Sequence, residues 1–130
     1  MKIDRLFVYG TLMRGGRLHH ELDAIRAEFR GKGSIRAALY AIKGEWYPGA
    51  IPDDSSVTWG EVYLLPNLES ALVHLDEVEG VAAGDGSFQR RAVEVRFGSK
   101  RFAAWTYFYT APLQRSRRIR SGRFKVSGRN

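Results

Sequence analysis

The chain has 130 residues, no cysteine and a formal net charge of +7. This length is typical of one domain, and the lack of cysteine excludes disulfides, thiolate nucleophiles and cysteine-ligated metal sites. No stretch approaches the roughly 18 apolar residues of a membrane span, and no signal peptide precedes the first predicted strand. We therefore expect one soluble, cytoplasmic domain over residues 1–130, with no membrane association.

The first half of the chain predicts a strand, a glycine-rich loop, a helix and a second strand. Residues 5–9 are rich in β-forming residues and end at Gly10, which marks a turn. Apolar residues recur at helical spacing over 18–29, and the glycines that follow are expected to end this helix. Residues 34–43 predict a strand, whereas 44–56, rich in Pro, Gly and Asp, predict a loop.

The second half predicts further strands around one helix. In chain order we expect a strand over 57–65, a helix from Asn67 to Val78, a loop over 80–87, a hairpin of strands 90–97 and 101–109, and a short strand over 123–126. Asn67 is the expected N-cap of the helix. Regular strand–helix–strand units are missing, so the pattern predicts an α+β fold with a strongly curved or closed sheet and helices on its outside. A small barrel of this kind would hold a pocket at its mouth.

The glycine loop after the first strand is the first candidate for chemistry. Gly10 and Thr11 follow a strand directly, so their backbone N–H groups can face a carboxylate or a developing oxyanion. The alternative is a plain turn. A phosphate loop is excluded, because the Gly-Lys-Ser/Thr ending is missing.

Glu79, near the end of the second predicted helix, is the candidate acid/base. Leu75 and Val78 share its helical turn, so partial burial beside them would raise the pKa of its carboxyl into a useful range. The alternative is a solvated acid at a helix end. Asp76 is expected to face outward or to cap the helix locally.

An aromatic strand supplies further candidates. Trp105, Tyr107 and Tyr109 would share one face, where a buried tyrosine hydroxyl needs a partner such as a pocket carboxylate. Simple core packing is the alternative. The three histidines lack any metal-binding spacing, so we expect no metal site.

The basic residues concentrate near the C-terminus. Residues 95–130 contain ten Lys or Arg and no acidic residue, and the densest cluster starts at Arg115. We expect a solvated basic tail from about residue 115. Nucleic-acid binding by this tail is the alternative, and it is disfavoured because no aromatic residue is interleaved in the cluster.

Taken in order, these motifs resemble the gamma-glutamylcyclotransferase-like superfamily. The matching residues are Phe7-Val8-Tyr9-Gly10-Thr11-Leu12, Tyr47-Pro48-Gly49-Ala50, Gly60-Glu61-Val62-Tyr63, Leu75-Asp76-x-x-Glu79-Gly80, Arg90, Ala104-Trp105-x-Tyr107-x-Tyr109 and Ile119-x-Ser121-Gly122. Each motif is weak alone, but the ordered set runs from about residue 6 to residue 124 and is fairly specific.

The resemblance implies a small mixed β-barrel of about six strands with flanking helices and a cavity at one end. By resemblance, Glu79 is the acid/base, Tyr9, Gly10, Thr11 and Leu12 bind the gamma-glutamyl group, and Tyr47, Pro48, Gly49 and Tyr107 line the cavity. The implied reaction needs no cofactor. It cyclises a gamma-glutamyl amine or gamma-glutamyl amino acid to 5-oxoproline and releases the amine.

Two residues depart from the family pattern. Phe88 stands where the family often has Tyr, and Phe124 stands where Trp often follows Ser-Gly, so the leaving group stays open. Two alternatives also stay open: a non-catalytic domain that binds a small carboxylate, and acyl-amine processing in a biosynthetic pathway. We expect a monomer or a weak homodimer.

Overall fold

The structure, a computed structural model, describes residues 2–80 and 87–126. Its strands are β1 (Arg5–Val8), β2 (Glu28–Ala41), β3 (Pro48–Leu64), β4 (Phe88–Phe97), β5 (Lys100–Tyr109) and β6 (Arg117–Arg118), and its helices are α1 (His20–Ala24) and α2 (Leu68–Val78). Within the described ranges, no helix has the length and apolar character that spanning a membrane would require.

Five of the strands close into a barrel. They follow the order β3-β1-β5-β4-β2, and a long β2–β3 pairing closes the ring. The short strand β6 pairs with Tyr40 and Ala41 at the end of β2, beyond the position where β4 pairs with β2. The sheet is mixed, because β1 runs parallel to β5 and the other pairs are antiparallel. The predicted α+β barrel with flanking helices is therefore confirmed.

Alternation along the strands divides the apolar side chains between two packed regions. In β1, Phe7 packs inside the barrel, whereas Leu6 and Val8 pack on its outer face with Leu22 of α1 and Leu75 of α2. Successive side chains of a strand point to opposite faces, so one short strand serves both regions. The end of β1 is thus held between the barrel interior and the helices.

The helix predicted over 18–29 is mostly wrong. Helix α1 covers only His20–Ala24, and β2 starts at Glu28 after Arg26 turns the chain with φ of 57°. Gly31 does not end a helix, since it lies within β2, where a Cβ atom would stand 2.8 Å from the Phe97 ring. The helical spacing of apolar residues reflects a short helix followed by a strand.

The loop predicted over 44–56 is also mostly wrong, because β3 already begins at Pro48. The register opposite Arg36 and Ala37 jumps from Val57 to Pro52, so residues 53–56 form an excursion from the ladder. The polar residues of this excursion, together with Pro48 and Pro52 before it, give the segment its loop-like composition. The α2 prediction is confirmed, although the Asn67 side chain forms no capping hydrogen bond.

The C-terminal segment packs on the barrel as far as residue 126, although most of its basic side chains, including Arg115 and Arg120, are exposed to solvent. Arg117 and Arg118 pair with β2, and the Ile119 N–H donates to the Leu39 carbonyl at 2.8 Å. Phe124 packs against both apolar regions. The strand predicted over 123–126 does not form. The loop predicted over 80–87 lies mostly outside the described residues.

Candidate active site

A cavity of about 210 Å³ opens where β1 ends. Its described lining residues are Phe7, Val8, Tyr9, Gly10, Thr11, Leu12, Leu18, Trp46, Tyr47, Pro48, Val78, Glu79, Gly80, Ser87, Phe88, Thr106 and Tyr107. The structure therefore brings together the glycine loop, the end of α2 and the aromatic strand, which are far apart in sequence.

Local hydrogen bonds fix the glycine loop at the cavity. The Met13 N–H donates to the Gly10 carbonyl at 3.0 Å, and the Leu18 N–H donates to the Thr11 carbonyl at 2.9 Å. The N–H groups of Gly10, Thr11 and Leu12 donate to no other described residue. Gly10 is required by space as well, because a Cβ atom there would stand 2.8 Å from the Pro48 ring. The loop thus supplies uncommitted backbone donors beside the cavity.

Glu79 is the C-cap residue of α2, directly after Val78. Its N–H donates to the Leu75 carbonyl at 2.9 Å, and Gly80, with φ of 77°, ends the helix immediately after it. Among the described residues, nothing forms a hydrogen bond or ion pair with its carboxyl group. Burial raises the pKa of Glu79 from 4.5 to about 7. This carboxyl can therefore gain and lose a proton near neutral pH.

Asp76 does not face outward as expected. Arg90 donates to both of its carboxylate oxygens, at 2.9 and 3.2 Å, and the Tyr107 hydroxyl donates to Oδ1 at 2.5 Å. The Arg90 guanidinium also stacks 4.7 Å from the centre of the Trp105 ring. Burial and the bond to Asp76 together raise the pKa of Tyr107 well above its usual range. Its proton is committed to Asp76, so its oxygen can only accept hydrogen bonds from the cavity.

The hydroxyl of Tyr9 both donates and accepts a hydrogen bond within the protein. It donates to the Tyr107 carbonyl at 2.6 Å and accepts from the Ala50 N–H at 3.1 Å. Burial raises the pKa of this phenol strongly. Tyr9 therefore ties the end of β1 to β5 and β3, and it presents ring surface to the cavity rather than a free hydroxyl.

The other residues implied by the resemblance divide between lining and packing. Tyr47 and Pro48 line the cavity. Gly49 is not among the described lining residues, and a Cβ atom on it would stand 2.7 Å from the Tyr109 side chain. Gly49 therefore allows close packing of β3 against β5.

Several lining residues were missed by sequence reasoning. They are Leu18, Trp46, Val78, Ser87, Phe88 and Thr106. Phe88, which departs from the family pattern, has its ring 5.7 Å from Tyr47 and 5.4 Å from Tyr109, centre to centre. No local pattern marks such a residue, since its neighbours come from other strands.

Metal binding has little support in the described part of the chain. No group of three or more His, Asp or Glu side chains is placed there to hold a metal ion. Of the two acids near the cavity, Asp76 and Glu79, Asp76 already accepts hydrogen bonds from Arg90 and Tyr107.

Comparison with solved structures shows the same fold in several proteins. An uncharacterised protein from Pyrococcus horikoshii is 28% identical with a TM-score of 0.70, over 94% of this chain and 89% of that one. An AIG2-like protein from Mus musculus is 26% identical with a TM-score of 0.67, over 86% of this chain and 82% of that one. A gamma-glutamyl cyclotransferase is 19% identical with a TM-score of 0.61, over 82% of this chain and 66% of that one, which shows the fold alone.

Sequence comparison assigns the family. A search of curated protein sequences gave no significant match. The profile of one protein family, in contrast, matches residues 6–126, which is nearly the whole chain. The sequence resemblance is thereby confirmed, and the chain belongs to the gamma-glutamyl cyclotransferase, AIG2-like family.

Proposed function

We propose that this protein cyclises a small gamma-glutamyl compound to 5-oxoproline and releases the amine. The observation that carries the proposal is the combination of two features at one cavity. The Glu79 carboxyl has a pKa of about 7 and no partner among the described residues, and the N–H donors of the glycine loop are uncommitted within the same ranges. Family membership supports the reaction class.

The proposed reaction is an intramolecular acyl transfer. The Glu79 carboxylate takes a proton from the substrate's α-ammonium group, and the freed amine attacks the γ-carbonyl carbon to form a ring C–N bond. The loop N–H groups stabilise the oxyanion. The intermediate then collapses with cleavage of the original amide C–N bond as Glu79 donates its proton to the leaving nitrogen. The Glu79 carboxylate takes the second proton from the ring nitrogen and passes it to the released amine, which departs as an ammonium. Holding both reacting groups in one molecule supplies a high effective concentration.

The electrostatics of the cavity suit this substrate. A general acid/base acts best when its pKa lies near the working pH, and burial alone brings Glu79 there. The lone pairs of the Tyr107 hydroxyl can accept a hydrogen bond from an ammonium group, because its proton is held by Asp76. The oxyanion that develops on the γ-carbonyl therefore meets N–H donors of the loop, whereas the cationic α-amine meets the accepting oxygen of Tyr107.

The first test is Glu79→Gln, which keeps the shape of the side chain and removes proton transfer. We expect the rate of 5-oxoproline release from gamma-glutamyl amines and dipeptides to fall by about 10²–10⁴-fold. Chromatography of the released 5-oxoproline measures the effect.

Glu77→Gln is the matched control, since Glu77 lies on the same helical turn but is exposed and not among the described lining residues. It should retain full activity. Undiminished release by Glu79→Gln would refute the proposal. Binding of gamma-glutamyl compounds by the wild-type protein without any release would favour the non-catalytic binding domain instead.

A further inference from the structure

The cavity has a buried floor and an exposed rim. Thr106 and Tyr107 of β5 are buried at the floor, whereas Trp46 at the opening is 47% exposed. Glu79 also lines the cavity and is less exposed than Trp46. A gamma-glutamyl group that reacts beside Glu79 must therefore direct its leaving amine outward, toward Trp46.

Aromatic rings form the wall along this outward path. The Trp46 and Tyr47 rings lie 5.4 Å apart at 86°, and Tyr47 continues to Phe88 at 5.7 Å. The first pair packs edge to face and the second is tilted at 57°, and rings packed in this way offer a rigid apolar surface. The wall favours a leaving group with an apolar body over a strongly hydrated one.

A cation with no ion-pair partner among the described residues stands at the rim. The Arg17 guanidinium lies 4.3 Å from the centre of the Trp46 ring, and Leu18, the next residue, lines the cavity. No acidic side chain of the described ranges, including nearby Glu45, forms an ion pair with Arg17. Arg14 in the same loop differs, because it pairs with Glu61 at 3.5 Å. Stacking on Trp46 thus holds Arg17 in place, and within residues 2–80 and 87–126 no acidic side chain pairs with its guanidinium.

We propose that Arg17 and Trp46 form a subsite for the leaving group, which the aromatic wall and the guanidinium select as an apolar α-amino acid with a free carboxylate. This inference rests on the proposed function and narrows it to gamma-glutamyl amino acids over gamma-glutamyl amines that lack the carboxylate. A guanidinium matches a carboxylate through paired N–H donors, and stacking pre-orders it for that contact.

The test uses two substrates that differ only in the carboxylate: gamma-glutamylphenylalanine and gamma-glutamylphenethylamide. We expect wild-type kcat/KM to be about fivefold higher for the first, which is near the upper limit for an exposed ion pair. Arg17→Gln should abolish this preference, mainly by lowering kcat/KM for gamma-glutamylphenylalanine. Gamma-glutamylphenylalanine should also exceed gamma-glutamylalanine, since the smaller side chain leaves the aromatic wall uncovered.

Arg101→Gln is the matched control for loss of one positive charge. Arg101 is exposed and lies at the end of the β4–β5 hairpin opposite to Phe88, so it is remote from the cavity. The control should keep the preference. Equal kcat/KM for the two phenyl substrates in the wild type, or a preference that survives Arg17→Gln, would overturn the subsite.

Calorimetry separates this inference from the proposed reaction. In Glu79→Gln protein, the two phenyl compounds should bind with the same roughly fivefold difference in Kd, and Arg17→Gln in that background should remove it. Selective binding without 5-oxoproline release in the wild type would overturn the reaction but support the subsite. Release without carboxylate preference would overturn the subsite alone.

Discussion

Two carboxyl groups three residues apart on α2 have opposite surroundings. Asp76 receives three hydrogen bonds from Arg90 and Tyr107, whereas Glu79 has no hydrogen-bond partner within the described ranges and a pKa raised to about 7. The residue types are nearly equivalent, so their environments assign the roles. Asp76 is a fixed acceptor, and Glu79 is free to exchange a proton.

The barrel register creates this difference. Arg90 and Tyr107 are directly opposite each other in the β4–β5 ladder, so both side chains reach the same turn of α2. Asp76 meets them, while Glu79 lies beyond them at the cavity. An ion pair at one position and an unpaired acid at the other therefore follow from a single strand pairing.

The largest expected change in stability follows from Glu79→Gln, which replaces the acid that has no partner among the described residues. Burial raises the pKa of folded Glu79 from 4.5 to about 7, so the folded protein binds this proton more tightly than the unfolded chain does. The stabilisation from the proton is complete at low pH and is lost as the pH rises through about 7. We expect the free energy of unfolding of Glu79→Gln to exceed that of the wild type by about 3 kcal/mol near pH 8, and to equal it near pH 4.

Urea unfolding at the two pH values measures this difference. Glu77→Gln, which alters an exposed acid on the same turn, should follow the wild type at both. A Glu79→Gln protein that is no more stable than the wild type near pH 8 would show that the Glu79 carboxyl is well solvated when ionised.

A smaller effect is expected from the paired acid. Asp76→Asn leaves the partly buried Arg90 without its carboxylate, so we expect the free energy of unfolding to fall by about 2 kcal/mol. The new amide can donate to the Tyr107 oxygen, which frees the hydroxyl to donate into the cavity. A cationic amine would then meet a donor, so KM should rise about tenfold while kcat changes little.

Steady-state kinetics separates this positioning role from simple loss of structure. Glu69→Gln, in the exposed first turn of α2, is the control and should leave KM unchanged. If kcat of Asp76→Asn falls and KM does not rise, the orientation of the Tyr107 hydroxyl is not what Asp76 supplies.

The sequence predicts the surroundings of Glu79 better than those of Asp76. The strand before Gly10 and the apolar positions beside Glu79 are local patterns, so the loop and the candidate acid could both be predicted. The partners of Asp76 depend on which residues of β4 and β5 stand opposite each other, and no local pattern records a register. For this reason an acid expected to face solvent is instead the centre of a network.

The errors in the fold have a similar origin. Gly31 lies in a strand because Phe97 from another strand packs against it, although glycine after a helical pattern normally indicates a helix end. Pro52 sits beside an excursion within one long strand, where its composition favours a loop. In each case a tertiary contact overrides the local preference.

The smallest effect is expected from Tyr107→Phe, which removes the hydroxyl and keeps the Asp76–Arg90 pair intact. Because Arg90 still satisfies both carboxylate oxygens of Asp76, the free energy of unfolding should fall by only about 1 kcal/mol, half the effect of Asp76→Asn. KM should rise about fivefold, since a substrate ammonium loses one acceptor but meets no opposing donor. A rise in KM larger than that of Asp76→Asn would mean that the hydroxyl itself, rather than its orientation, dominates recognition of the amine.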